Sequence, residues 1–242
     1  MHTTHFRHQY HLQGKKIVLL LLMLWPLFAN AQRFVTRNDA RFEKRPFHFG
    51  IHMGFNVSDF KVKLSDDFVY NDSILGVNAS SGPGFNLNIM ASLHLSKHFE
   101  LKVIPGVSFA EKYLDYSIRD AGVTSKKIES IYVEAPVLLK FKSDPIKDFK
   151  FYVVAGMKYG YDMAANAEAR RAEDLIKLFR HDLSAEYGVG MEIHFPLFIL
   201  APEFRVSNGL LNVHAADPAL AFSRALGSLR TRMFLFSINF EG

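Results

Sequence analysis

Charged side chains recur at alternate positions within several apolar segments of this chain. Carboxylates and amines held close together can pair as ions, relay protons or hold a metal ion. Both signs occur in the set, and a narrow interior forces buried charges to pair, so the pattern favours a packed ionic interior over a proton or ion path. The predicted interior set is Glu100, Lys102, Glu134, Lys140, Lys158, Glu186, Glu192, Glu203 and Arg205.

His48 and His52 have the spacing of a metal-binding pair only if they lie on a helix, where residues four apart share a face. On a strand, the same spacing separates them by about 13 Å, which is too far for one ion. The residues around them alternate between apolar and polar. We therefore predict a strand, with both histidines as interior polar residues, and no metal site.

Other candidate motifs lack the partners that their chemistry requires. His94 and Ser96 lie near a predicted turn, without a group that would orient a base, which argues against a hydrolase. No helical pattern follows Gly188 and Gly190, so they do not form a phosphate-binding loop. The chain contains no cysteine, which excludes disulfides and thiolate chemistry. We expect a protein that is not an enzyme and needs no cofactor.

About eight segments of roughly ten residues alternate apolar and non-apolar side chains, which is the period of a strand. In the clearest segment, one face consists of Phe85, Leu87, Ile89, Ala91, Leu93 and Leu95, and the other of Asn86, Asn88, Met90, Ser92 and His94. A soluble sheet would need a second protein layer over each apolar face, whereas lipid covers the outside of a membrane barrel.

The connections between these segments alternate short and long, with long ones over about residues 58–83, 115–127, 164–180 and 208–228. This asymmetry predicts an all-β fold, an eight-stranded antiparallel up-and-down transmembrane β-barrel with both termini in the periplasm. A soluble barrel of the lipocalin kind is the alternative, with its apolar faces inside. Charged and small residues on the minority faces favour the membrane barrel. We also expect a bulge at Pro105 and a short helix in the third long loop.

The N-terminal residues 1–31 have the features of a signal peptide. Arg7, Lys15 and Lys16 precede an apolar run over 17–28 that is too short to span a bilayer, and Ala29-Asn30-Ala31 fits a cleavage site. An uncleaved anchor is the alternative. We assign 32–46 to a periplasmic segment and 47–242 to the barrel, and we expect the protein in the outer membrane.

The net charge of +5 is mostly a property of this leader, which contributes +3 and leaves +2 for residues 32–242. The basic balance is therefore no indication of nucleic-acid binding. We expect outer-membrane lipid as a partner and no small-molecule substrate. The third long loop is a candidate for protein contact, through Arg170, Arg171, Asp174 and Lys177.

Five segments in order resemble the PorT/SprT family: PFHFGIHMGFN at 46–56, PGFNLN at 83–88, LKVIPGVSF at 101–109, YVEAPVLLK at 132–140 and APEFRVSNG at 201–209. The stretch from Glu134 to Lys140 alone marks only the wider group of OmpA-like barrels. At the C-terminus, Glu241 and Gly242 follow Phe240, whereas such barrels usually end in an aromatic residue.

The resemblance implies an accessory role in the type IX secretion system, which exports proteases and adhesins across the outer membrane. The partners would be other proteins of that system. A generic small barrel of the OmpA/OmpX kind, with an envelope or adhesin role, is the first alternative. A barrel enzyme that modifies lipid A is the second, and it would need a serine, a histidine and an acid together at one membrane interface.

Overall fold

A computed structural model describes residues 45–65, 68, 74–119, 122–165, 176–217 and 221–242. The elements in chain order are β1 Phe47–Leu64, β2 Ile74–His94, β3 Phe99–Val103, β4 Gly106–Ile118, β5 Gly122–Lys142, β6 Phe149–Asp162, β7 His181–His194, β8 Ile199–Gly209, α1 Ala221–Arg224 and β9 Leu226–Glu241. No helix among the described residues is both long enough and apolar enough to cross a membrane.

The strands form one closed antiparallel ring. Strands that follow one another along the chain pair with each other, except for β3 and β4, and β1 pairs with both β2 and β9, which closes the sheet. The described chain forms nine strand segments. The barrel nevertheless has eight strand positions, because β3 and β4 lie end to end between β2 and β5. The predicted eight-stranded antiparallel barrel is confirmed.

The break between β3 and β4 falls at Ile104 and Pro105, where the sequence predicts a bulge. Val103 pairs with Ala91 and Gly106 with Asn88, so two residues separate the pairs on each side and the register does not shift. Proline has no N–H to donate to the ladder, which accounts for the interruption. The site is therefore a gap in the ladder and not the predicted bulge.

The strands on one side of the barrel extend further than the sequence predicts. The predicted loop at 58–83 is mostly strand, because β1 continues to Leu64 and β2 begins at Ile74. The predicted loop at 115–127 is a hairpin, in which Gly122 adopts a φ of 74° and β5 begins. Exposed polar residues such as Lys61 and Lys127 occupy the outer face of these extensions, and apolar residues occupy the inner face. The outward-facing apolar alternation therefore ends before the strands do.

The predicted helix at 164–180 is not found in the described part of that connection, and residues 166–175 lie outside the described residues. Leu178 forms an isolated β-bridge with His214, and the neighbouring Phe179 N–H donates to the Val213 carbonyl at 2.8 Å. The short helix α1 lies instead in the connection before β9. At Leu178 and Phe179, pairing between two loops therefore outweighs the local helical spacing.

The barrel contains two kinds of interior. Apolar side chains fill the end near the long connections, where Phe60, Leu114, Tyr116, Leu178, Val213 and Leu229 belong to one buried cluster. The remainder of the lumen is lined by polar and charged residues. On the outer face the large side chains are apolar and exposed, for example Phe55 and Ile89. This is the arrangement that the alternating sequence pattern predicts for a barrel in lipid.

Candidate functional site

Alternation along the strands directs a continuous set of charged side chains into the lumen. All nine residues of the predicted interior set are buried there. They lie on five different strands, and each has an ion-pair contact with another buried side chain. Together with Glu241, His48 and His52 we call them the lumen network.

The layer nearest the start of β1 and the end of β9 centres on Lys140. Its amine contacts Glu100 at 3.2 Å, Glu241 at 3.7 Å and Glu192 at a shorter distance. Because these carboxylates belong to β3, β9 and β7, one lysine on β5 joins strands from around the ring. Its side chain is fully buried, so the contacts act without the screening that water provides.

The middle layer centres on Arg205 and Glu203. The Arg205 guanidinium contacts Glu203 at 3.0 Å, donates to Glu186 at 3.1 Å and reaches His52 Nε2 at 3.1 Å. Tyr152 donates to the other Glu203 oxygen at 2.8 Å. These contacts cross the lumen between β1, β6, β7 and β8.

The layer towards the long connections is held by Lys158 and Glu134. Lys158 contacts Glu134 at 3.4 Å and Glu186 at 3.2 Å, which joins this layer to the middle one. Asn86 and Asn88 both donate to Glu134 Oε1, at 2.9 and 3.1 Å. Beyond this layer, a cavity of about 10 Å³ lies against Lys112, a volume that holds about one water molecule.

Among the described residues, one cluster beside the lumen network has a geometry that a metal ion could use. His48, His94 and Glu100 offer ligand atoms that all lie within 4.8 Å of one another. His48 Nε2 is also 2.7 Å from Glu241, and His94 Nε2 is 2.7 Å from Glu100. However, Glu100 Oε1 accepts from Lys142 at 3.0 Å. A divalent cation would have to compete with that ammonium, so the charges favour the ion pairs.

A serine and a histidine also meet outside the spanning strands. His214 Nε2 is 2.9 Å from Ser223 Oγ, and Ser223 accepts from the Asp217 N–H at 3.0 Å. Both side chains are almost fully buried, and burial lowers the pKa of His214. Within the described residues, no side chain bonds to His214 Nδ1. The pair therefore lacks both substrate access and the orienting acid of a triad, and it fastens the connection before β9.

Sequence reasoning misses several residues of this interior, and Glu241 is the clearest case. It is the last residue of β9 and is fully buried. The alternation over Ser237, Asn239 and Glu241 is the signal that could have revealed it. Lys112 is missed because the predicted strand ends at Phe109; it is buried and donates to Ser130 and Tyr132.

The predicted contact loop is only partly within the described residues. Arg170, Arg171 and Asp174 lie outside them. Lys177 is described, and its amine donates to Asp217 at 2.7 Å. This ion pair joins the two connections that also meet at the bridge between Leu178 and His214.

Comparison with known proteins decides the family. The outer membrane protein β-barrel domain matches residues 28–215, which is most of the chain. The chain belongs to this family of outer-membrane barrels. Its apolar outer face is therefore the surface that contacts lipid, and the lumen network lies within the membrane-spanning part. No curated protein matches the chain.

The chain is similar to several outer-membrane barrels of known structure. OprG of Pseudomonas aeruginosa is 14% identical, with a TM-score of 0.47, over 81% of this chain and 95% of its own. Neisserial surface protein A is 11% identical, with a TM-score of 0.43, over 79% and 95%. Ail of Yersinia pestis is 13% identical, with a TM-score of 0.35, over 82% and 100%.

Proposed function

We propose that this outer-membrane barrel is an accessory component of the type IX secretion system and acts by protein–protein contact during the export of proteases and adhesins. The five ordered segments that resemble the PorT/SprT family support this role. They lie on β1, β2, β3 with β4, β5 and β8, so the resemblance runs around the barrel.

The closed lumen is the observation that carries the proposed mode of action. Arg205 links β8 to β7 and β1, and Lys140 links β5 to β3, β7 and β9. An eight-stranded barrel is already filled by its own side chains. A protein that blocks its own lumen with buried ion pairs is suited to holding a partner and not to conducting cargo.

The partner would contact the parts of the chain beyond the lipid. With both termini in the periplasm, the long connections and the strand extensions around them face the cell exterior. Lys177, the described residue of the predicted contact loop, is on that side. Lys177 and its partner Asp217 would then fix the base of the loop.

The two alternatives differ in what they require of the structure. A generic envelope or adhesin barrel would use the same outer surface with no dependence on secretion. A lipid-A-modifying enzyme needs an accessible serine, histidine and acid, whereas the Ser223–His214 pair is buried. We therefore propose no catalytic role.

Deletion of the gene tests the proposal. We expect the deletion strain to retain cargo proteases inside the cell and to lose surface adhesins, and a plasmid copy to restore both. The lipid A mass spectrum should be unchanged. Normal cargo secretion in the deletion strain would contradict the secretion role and leave the envelope role, whereas altered lipid A would support the enzyme.

A further inference from the structure

The strand β5 extends beyond β6 at one end of the barrel, and none of the described residues pairs with that side of the extension. β5 pairs with β6 only from Tyr132 onwards, opposite Asp162. Between Gly122 and Ile131, β5 pairs with β4 on its other side. In the described ranges no strand lies against the free side of this stretch. We call Val123–Glu129 the β5 edge.

The hydrogen bonds at the top of β6 show which backbone groups point towards this free side. The Ile131 N–H donates to the Asp162 carboxylate at 3.2 Å, and the Ile131 carbonyl accepts from Met163 N–H at 2.8 Å. Backbone groups alternate in direction along a strand. The N–H and C=O groups of Val123, Ser125, Lys127 and Glu129 therefore point outwards, and none of them has a bonding partner there among the described residues.

The corresponding edge on the other side of the same opening is covered. β9 extends beyond β8, and the pairing between these two strands ends at Asn208 with Arg232. There the Leu229 N–H donates to Asn212 Oδ1 at 2.9 Å, and the Leu229 carbonyl accepts from the Val213 N–H at 2.9 Å. The chain thus protects one of its two raised edges with its own connection, whereas none of the described residues covers the β5 edge.

We propose that the β5 edge is a docking site for an extended segment of a partner protein, which adds a strand to the sheet beside β5. An exposed row of N–H and C=O groups is a template for such pairing. The edge offers four residues in register, each with one donor and one acceptor that no described residue bonds. This inference does not depend on the secretion role.

The side chains beside the edge define the chemistry of the segment. On the outer face, Lys127 contacts Glu111 and Glu129, each at 2.8 Å, and Asp115 adds a further carboxylate. The patch is therefore net acidic, and a basic residue opposite Glu129 is favoured. On the inner face, Ile128 packs against the apolar cluster. The matching segment alternates basic residues on its outer face with apolar residues on its inner face.

A second copy of this chain in the same membrane does not fit the edge. An antiparallel strand pair between two identical copies has its twofold axis perpendicular to the strands. Two barrels inserted in the same direction are related by an axis along the membrane normal. β5 crosses the membrane and is not perpendicular to that normal, so the two requirements conflict. The occupant is therefore a different molecule.

Binding of a synthetic peptide to the purified full-length protein in detergent tests the proposal. The probe is the peptide fluorescein-Thr-Val-Arg-Val-Arg-Val-Thr-amide, with the label on its N-terminal amine, and binding is followed by fluorescence anisotropy. We expect saturable binding to the wild type. Lys127→Pro removes an edge N–H, whereas Lys127→Ala loses the same ion pairs and keeps that N–H. The proline variant should bind at least tenfold more weakly, and the alanine variant within about threefold of the wild type.

Two further measurements distinguish strand addition from contact through side chains alone. A peptide N-methylated at alternate residues keeps its side chains but cannot pair with the edge, and it should not bind. Hydrogen exchange at the Ser125 and Lys127 amides should be fast in the free protein and slow with the peptide bound. Three results would overturn the proposal. They are equal binding by the proline and alanine variants, no binding to the wild type, and protection of these amides in the free protein by residues 166–175 of the same chain. Retained heat-shifted mobility establishes that each variant is folded.

Discussion

His48 Nε2 forms a hydrogen bond with Glu241 Oε2 at 2.7 Å, which joins two residues 193 positions apart. His48 lies near the start of β1 and Glu241 ends β9, so the bond lies inside the seam that closes the barrel. Glu241 also contacts Lys102 at 3.5 Å and Lys140 at 3.7 Å. The last strand residue thus connects the seam to the lumen network.

Replacing Glu241 by glutamine should destabilise the barrel. Glu241→Gln keeps the shape of the side chain but removes the charge that compensates Lys102 and Lys140. Removing one partner of a buried ion pair costs about 3–5 kcal/mol. We expect a loss of that size in the free energy of unfolding, measured by urea titration in lipid vesicles with the heat-shifted electrophoretic mobility as the readout.

Glu129→Gln is the matched control, because its carboxylate pairs with Lys127 and its side chain is 68% exposed. Exposed pairs contribute about 0.2–1 kcal/mol. Equal losses from the two substitutions would show that burial of Glu241 does not determine its contribution.

A methyl group at Gly190 should disturb the middle layer of the lumen. A Cβ atom there would lie 2.4 Å from both Tyr152 Oη and Cζ, and that hydroxyl donates to Glu203. We expect Gly190→Ala to cost about 1–3 kcal/mol by overpacking, and the same urea titration measures it. Gly76→Ala is the control, since its Cβ would meet nothing within 4 Å; a comparable loss there would argue against overpacking as the cause.

The sequence predicts which side chains enter the lumen but not which of them meet. Alternation with a period of two assigns Glu186 and Arg205 to the inner face without further information. Their contact at 3.1 Å depends on the register between β7 and β8, in which Glu186 lies opposite Ser207. Register depends on the ladders of the whole ring, which no single segment encodes.

Strand ends are harder to predict from the sequence than strand centres. Apolar alternation reports contact with lipid, so it stops where the strand leaves the membrane, although backbone pairing continues. Ser80 and Asp115 illustrate this, because their side chains form a hydrogen bond between β2 and β4 in a stretch predicted as loop. The β5 edge lies in the same region, so the apolar pattern does not indicate it.

The barrel should conduct no steady ionic current in planar bilayers, because Arg205 spans the lumen between Glu186 and His52. Arg205→Ala should open a path for small ions and raise the conductance measurably. Arg232→Ala is the control: it pairs with Asp59, its side chain is 38% exposed, and it should leave the conductance unchanged. A wild-type current as large as that of the Arg205 variant would contradict a closed lumen.

Acidification should loosen the connection before β9 through His214. Burial lowers the pKa of His214 below the ordinary value of 6.5, so the folded connection favours the neutral ring. Its contribution to stability is then complete above pH 6.5 and is lost as the pH falls through the lowered pKa.

Hydrogen exchange at two amides reports on this connection, because the Phe179 N–H donates to Val213 and the Ala215 N–H to Lys177. After correction for intrinsic rates, we expect exchange to rise severalfold between about pH 7.5 and 5. His214→Gln cannot become protonated, so its exchange should not depend on pH in this way; the same rise in that variant would assign the effect to another group.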